Sequence, residues 1–158
     1  MALEYVLYGA ADLTTSELRS LLHSAVGGTI AADGTIERDD LSIAGWRETP
    51  DEEADTEQPF GFRDRVTVFF RFDKRPEAQD HATAVMIHAV LSLLERTGGD
   101  SVLLFNGEDA VLRTVNGQAI FDADRDEWDY PEAAALREGH RVARLPQPLL
   151  PRGNEGPR

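Results

Sequence analysis

The 158-residue sequence contains no cysteine. That excludes disulfides, thiol catalysis and cysteine-ligated zinc together. Nor does any apolar run approach the roughly 18 residues that a membrane helix needs. Basic side chains are scarce, with 16 Lys and Arg against 29 Asp and Glu, a formal net charge of −13. A chain this acidic repels nucleic acid and anionic membranes and attracts basic partners, and no basic stretch is interleaved with aromatics as a nucleic-acid binder requires. There are only four histidines, His23, His81, His88 and His140. No two lie four apart, so no helix offers paired zinc ligands. His81 and His88 share a helical face, but Val85 sits between them. There is no Gly-x-Ser-x-Gly elbow, and the helical neighbours His23 and Ser24 point apart. Gly27-Gly28 and Gly98-Gly99 match no phosphate loop. The opening "MALEYVLYGA" lacks a basic region and carries Glu4 inside its apolar stretch, so it reads as a strand rather than a signal peptide. A cytoplasmic location is expected.

Hydrophobic residues make up 41% of the chain, enough for one domain with a substantial core. The acid is unevenly spread. Residues 33–57 hold ten carboxylates against Arg38 and Arg47, a net −8; "DADRDEWD" at 122–129 holds five against Arg125, a net −4. The last 22 residues are net basic.

Hydrophobic periodicity sets out the elements. Residues 2–8 alternate, with Leu3, Tyr5 and Leu7 on one face, and predict a strand. Thr14 or Thr15 can cap a helix over "TSELRSLLHSAV", whose stripe is Leu18, Leu21, Leu22 and Ala25, and which Gly27-Gly28 ends. Residues 40–47 predict a second strand. "ETPDEEADTEQP" has no periodicity and reads as a solvated acidic loop at about 48–58. "RVTVFFRF" at 65–72 is a strand with Val66, Val68, Phe70 and Phe72 on one face. Pro76 suits the first turn of a long helix, with Glu77 and Asp80 near its positive end. Ala84, Ile87, Leu91 and Leu94, flanked by Met86, Val90 and Leu93, give that helix a broad buried face, with Phe70 and Leu91 expected inside. Three short strands follow at 101–106, 110–115 and 118–121. The predicted order is β-α-β-β-α-β-β-β: an α+β fold with a mainly antiparallel sheet of about six strands and two helices. It forms a single domain over 1–150, followed by a flexible tail at 151–158.

"VLLFNGEDAVLRTVNG" at 102–117 holds two Asn-Gly pairs. Asn116-Gly117 predicts a tight hairpin, because both turn positions need positive φ. Asn106-Gly107-Glu108-Asp109 fits a slightly longer connection, and the turn accounts for these residues without a ligand. "DADRDEWDYPEA" places Asp122, Asp124 and Asp126 as in a calcium loop. The required Gly is Glu127 and the closing Glu is Ala133, so no metal site is predicted. A solvated loop anchored by Trp128 and Tyr130 is the better reading. Catalytic residues and cofactors are therefore not expected. Because carboxylates abound, a small carboxylate-dependent hydrolase stays open beside an interaction or regulatory module.

The segments "MALEYVLY", "PFGFRDRVTVFFRFDK" and "GGDSVLLFNGEDAVLRTVNGQAIF", then a Trp and a Pro before "ARLPQPLL", resemble the swarming-inhibition (Sit) immunity proteins of bacteria. The likeness covers most of 1–150 and is weakest at 28–58. It implies a cytoplasmic, non-enzymatic protein that neutralises a cognate toxin passed between neighbouring cells. The resemblance carries no catalytic residues. As "LLFNGE" is a recurrent segment within it, Glu108 joins the candidate partner-binding residues. The others come from the acidic clusters: Glu52, Glu53, Asp55 and Glu57, and Asp122, Asp124, Asp126 and Glu127. An acidic surface suits a basic toxin; nucleic acid and membrane are not expected partners.

Overall fold

The computed structural model describes residues 3–49, 60–73 and 79–148. The candidate residues Glu52, Glu53, Asp55 and Glu57, the helix-start residues Pro76 and Glu77, and the tail at 151–158 lie outside them. Among the described residues the chain runs β1 (Leu3–Gly9), α1 (Thr15–Val26), β2 (Thr29–Ile30), β3 (Ile36–Arg38), β4 (Leu41–Arg47) and β5 (Val66–Phe72). Then come α2 (Gln79–Thr97), β6 (Ser101–Phe105), β7 (Asp109–Val115), β8 (Gln118–Asp122), α3 (Pro131–Arg137) and β9 (Arg141–Ala143). The α+β class is as expected. The count is not: the described residues form nine strands and three helices rather than six and two. The additions, β2, β3, β9 and α3, are two to seven residues long, too short to show a hydrophobic period.

The strand order is β2-β3-β4-β5-β1-β6-β7-β8-β9. All pairings are antiparallel except β8 with β9. That parallel pair needs a crossover, and α3 supplies it. β1 is central, paired Leu3 to Phe72 on β5 and Tyr5 to Phe105 on β6. One sheet face carries Tyr5, Leu7, Ile43, Val66, Val68, Phe70, Phe72, Leu103 and Phe121 under the helices. On the other face Phe60, Phe62 and Leu145 cover Val102, Leu104, Ala110 and Ile120.

Thr14 caps α1 in a reciprocal box, its hydroxyl accepting from Glu17 N while its own N–H donates to Glu17. That satisfies two of the helix's orphan donors. Helix α1 lies close on β4 because residue 45 is glycine: a Cβ there would come within 3.0 Å of Leu18 Cδ2. The buried faces of α1 and α2 match the sequence reading in part. In α1 the buried stripe is Leu18, Leu22 and Val26, with Leu21 and Ala25 only partly buried. In α2 Ala84, Met86, Ile87, Val90 and Leu93 are buried as expected, joined by Ala82, Val85 and Ala89, while Leu91 and Leu94 lie at the margin. Phe70 is fully buried, as expected. Small Ala82 and Ala89 join the core, while the larger Leu91 and Leu94 cover its edge.

Candidate functional site

Both Asn-Gly pairs are turns. Asn106 and Gly107 have φ of 51° and 73°, Asn116 and Gly117 of 53° and 76°, the positive pair that a type I′ hairpin requires. Glu108 N donates to Phe105 O at 2.9 Å and closes the first turn. Glu108 itself is exposed at its tip.

Register decides what lies near this turn. Leu3, Leu41, Phe72, Phe105, Asp109 and Asp122 mark one end of the sheet. The start of α2 belongs to the same end, since His81 on its first turn reaches Asp39 in the β3–β4 connection at 3.3 Å. Carboxylates from separate stretches of chain therefore converge there: Asp39, Asp80, Glu108, Asp109, Asp124, Asp126, Glu127, Asp129 and Glu132. The described part of the acidic segment 33–57 is divided by the fold. Asp33 accepts from Thr35 N at 2.9 Å, which holds its carboxyl below the usual range, and Glu37 accepts from Ser42 Oγ. Glu48 lies at the opposite end, where its backbone N–H donates to Arg65 O and its side chain accepts from Trp46 Nε1 and Thr67.

The five carboxylates of 122–129 have separate roles. Asp122 is buried, against the expectation of a solvated residue, and accepts from Leu145 N at 2.9 Å, fastening the covering segment to β8. Exposed Asp124 pairs with Arg144 at 2.9 Å. Arg137 reaches Asp129 at 3.6 Å. Asp126 is exposed. Glu127 turns inward, its side chain only 11% exposed. It accepts from Tyr5 Oη at 3.0 Å and from Arg125 Nε and Nη2 at 2.9 and 2.7 Å. Arg125 lies over the Phe105 ring, 4.9 Å from its centroid, and reaches Asp109 at 3.4 Å. The hydrogen bond to Glu127 raises Arg125 further above its ordinary value, so it stays charged. Burial, reinforced by Glu127, pushes the Tyr5 phenol upward, so it remains a donor. Tyr5 also packs against Phe72 and Phe105, at 5.4 and 5.2 Å.

Trp128 is an anchor as expected, fully buried and edge-on to Phe121 at 5.2 Å. Tyr130 is not: it is 59% exposed. The reason is that its backbone forms the N-cap of α3, before Pro131, and this leaves the ring outside. Between Tyr130, the carboxylates and β1 opens a cavity of about 370 Å³, lined by Leu3, Tyr5, Gln79, Asp80, Thr83, Asp126, Glu127 and Tyr130. Tyr5, Asp80, Thr83, Asp109 and Arg125 are members of this region that sequence reasoning did not single out. Tyr5 and Thr83 sit within apolar patterns that give no polar signal, and Asp80 reads as an ordinary first-turn acid of a helix. Among the described residues no group of three or more His, Asp or Glu is placed to hold a metal ion.

A family model described as SitI3-like matches residues 3–132. The chain belongs to the SitI3-like family. The match agrees with the Sit immunity-protein resemblance of the β1, β5 and β6–β8 segments, and it runs through 28–58, where that resemblance is weakest. No curated protein and no solved structure matches the chain. No helix among the described residues is long and apolar enough to cross a membrane.

Proposed function

We propose that this chain is an immunity protein that binds and neutralises a cognate toxin delivered by neighbouring bacterial cells. It acts in the cytoplasm, as a binder rather than a catalyst. Its toxin-facing surface is the acidic end of the sheet, made by the Asn106–Asp109 turn, the 123–130 loop and the start of α2. Membership of the SitI3-like family is the observation that carries the reading. The convergence of carboxylates at one end supports the choice of surface. An inhibitor needs complementary shape and charge without any active site, and charges of one sign at an interface chiefly raise the association rate with a partner of the other sign.

The deciding experiment is a pull-down with the product of the adjacent gene, followed by association rates at two salt concentrations. Replacing Glu108, Asp124 and Asp129 by Ser is expected to slow association and flatten its salt dependence. Serine at Glu52, Glu53, Asp55 and Glu57 tests the second acidic cluster in the same assay. Should the first set leave the rate unchanged while the second slows it, the sheet-end surface is wrong and the 52–57 cluster is the binding segment. Absence of any complex with the neighbouring product, together with no protection of cells expressing it, would remove the immunity reading.

A further inference from the structure

We propose that the cavity between β1, the first turns of α2 and the 126–130 loop receives a single arginine side chain of the bound partner. The immunity reading supplies the partner; the cavity supplies the chemistry. Its volume, about 370 Å³, lies at the low end of the ~300–1,000 Å³ of ligand pockets, small for a cofactor and suited to one long side chain.

The lining asks for hydrogen-bond donors and positive charge. Thr83 is 6% exposed and lines the cavity, yet its hydroxyl has no hydrogen-bond partner among the described residues. That hydroxyl is not fully enclosed but opens onto the cavity, where a donor group of a ligand can reach it. Asp126 is exposed at the mouth, and its side chain has no ion pair among the described residues. Asp80 spends its carboxylate only on two long contacts, from Glu132 N at 3.3 Å and Ala133 N at 3.4 Å. Among the described residues the nearby cation, Arg125, is already occupied by Glu127 and Asp109, and the described charged side chains of the lining are all acidic. Its carboxylates do not converge on a metal ion, and a flat group with several donors fits such a spread. A guanidinium has five donors in one plane and stacks on aromatic rings. Exposed Tyr130 stands at the rim to receive it, a cation–π geometry that favours arginine over lysine.

The test is an NMR titration of the full ¹⁵N-labelled chain with acetyl-Gly-Arg-Gly-amide, its Lys and Gln counterparts serving as comparison peptides. The Arg peptide is expected to give saturating shifts at Thr83, Asp126, Glu127 and Tyr130, the Lys peptide weaker ones and the Gln peptide none. Thr83→Val, Asp126→Asn and Tyr130→Leu should each weaken Arg-peptide binding roughly three- to tenfold, the scale of one hydrogen bond or one cation–π contact. Asp126→Asn and Tyr130→Leu alter exposed positions, so they report even if Thr83→Val unfolds. Equal binding of Lys and Arg peptides overturns the proposal. So do non-saturating shifts spread equally over Glu108, Asp124 and Asp129, and so does affinity unchanged in the variants. No toxin enters this titration, so its failure leaves the immunity reading standing, and a failed pull-down leaves the cavity assignment standing.

Discussion

Glu127→Ala tests whether the acidic end is held together from within. The Glu127 side chain is 11% exposed and receives the Tyr5 hydroxyl and two nitrogens of Arg125. Its loss strands a phenol on a residue that is 2% exposed, at about 1–3 kcal/mol for a buried unpaired donor. It also strips Arg125 of its closest carboxylate. Breaking a fully buried pair costs about 3–5 kcal/mol. Arg125, however, is 24% exposed and keeps Asp109 at 3.4 Å, so most of that cost is relieved by water. The sum is about 2–4 kcal/mol for Glu127→Ala, and about 0.5–1.5 kcal/mol for Tyr5→Phe, which leaves the ion pair intact. Urea unfolding with an unchanged m-value reads both; each 1 kcal/mol moves Tm by roughly 2–4 °C in a chain of this size. Because the two residues share one hydrogen bond, Tyr5→Phe combined with Glu127→Gln should depart from additivity by at least about 0.5 kcal/mol. Additive effects, with Glu127→Ala below about 0.5 kcal/mol, would refute a buried network and make Glu127 an ordinary surface acid.

Gly117→Val should destabilise by about 1–3 kcal/mol, because φ is +76° there although the space for a Cβ is open; an unchanged Tm would contradict the turn. Ile87→Ala should cost about 2–5 kcal/mol in urea unfolding and Leu91→Ala clearly less, since Ile87 is fully buried and Leu91 marginal; the reverse order would put Leu91 in the core instead. His81 hydrogen-bonds Glu132 at 2.8 Å and faces Asp39 at 3.3 Å, and the Glu132 bond chiefly raises its pKa above the ordinary 6.5. A raised folded value favours the charged form, so its contribution is complete below pH 6.5 and fades as pH rises through the folded value. An NMR titration of the imidazole, with unfolding measured on either side of that value, checks it, and a folded pKa at or below the ordinary one would overturn it.

The sequence made most of the framework legible, for identifiable reasons. β1, β5 and β6–β8 are rich in β-branched, aromatic and other apolar residues, and both Asn-Gly pairs mark positions that favour positive φ. The capping box is visible as Thr14 with Glu17 three positions on. What escaped was short or depended on contacts. Two-residue β2 and three-residue β3 and β9 exist through pairing with neighbours, not through any pattern of their own. Leu91 and Leu94 of α2 were placed too deep, and Ala82 and Ala89 passed over, because a leucine is more hydrophobic than an alanine in isolation, whereas close packing selects by size. Ala82 and Ala89 face the core, and Leu91 covers its edge.

The site was legible only as acid. Composition marked 122–129 as a cluster, but nothing in eight residues reveals that Asp122 holds a backbone, Glu127 a tyrosine and Asp126 the mouth of a cavity. Those differences arise from chain direction. β8 delivers the loop to the end of the sheet where β1 begins, and α2 starts at that same end. Tyr5 and Glu127 are thereby brought within 3.0 Å across 122 positions. The same logic divides the described part of the first acidic cluster itself, since Asp39 stands at the end of Asp109 and Glu48 at the far end. Carboxylates at opposite ends of one sheet do not face one flat partner surface together. Their contributions to a toxin's association rate should therefore separate by mutation, with the patch that meets the toxin carrying most of the salt dependence.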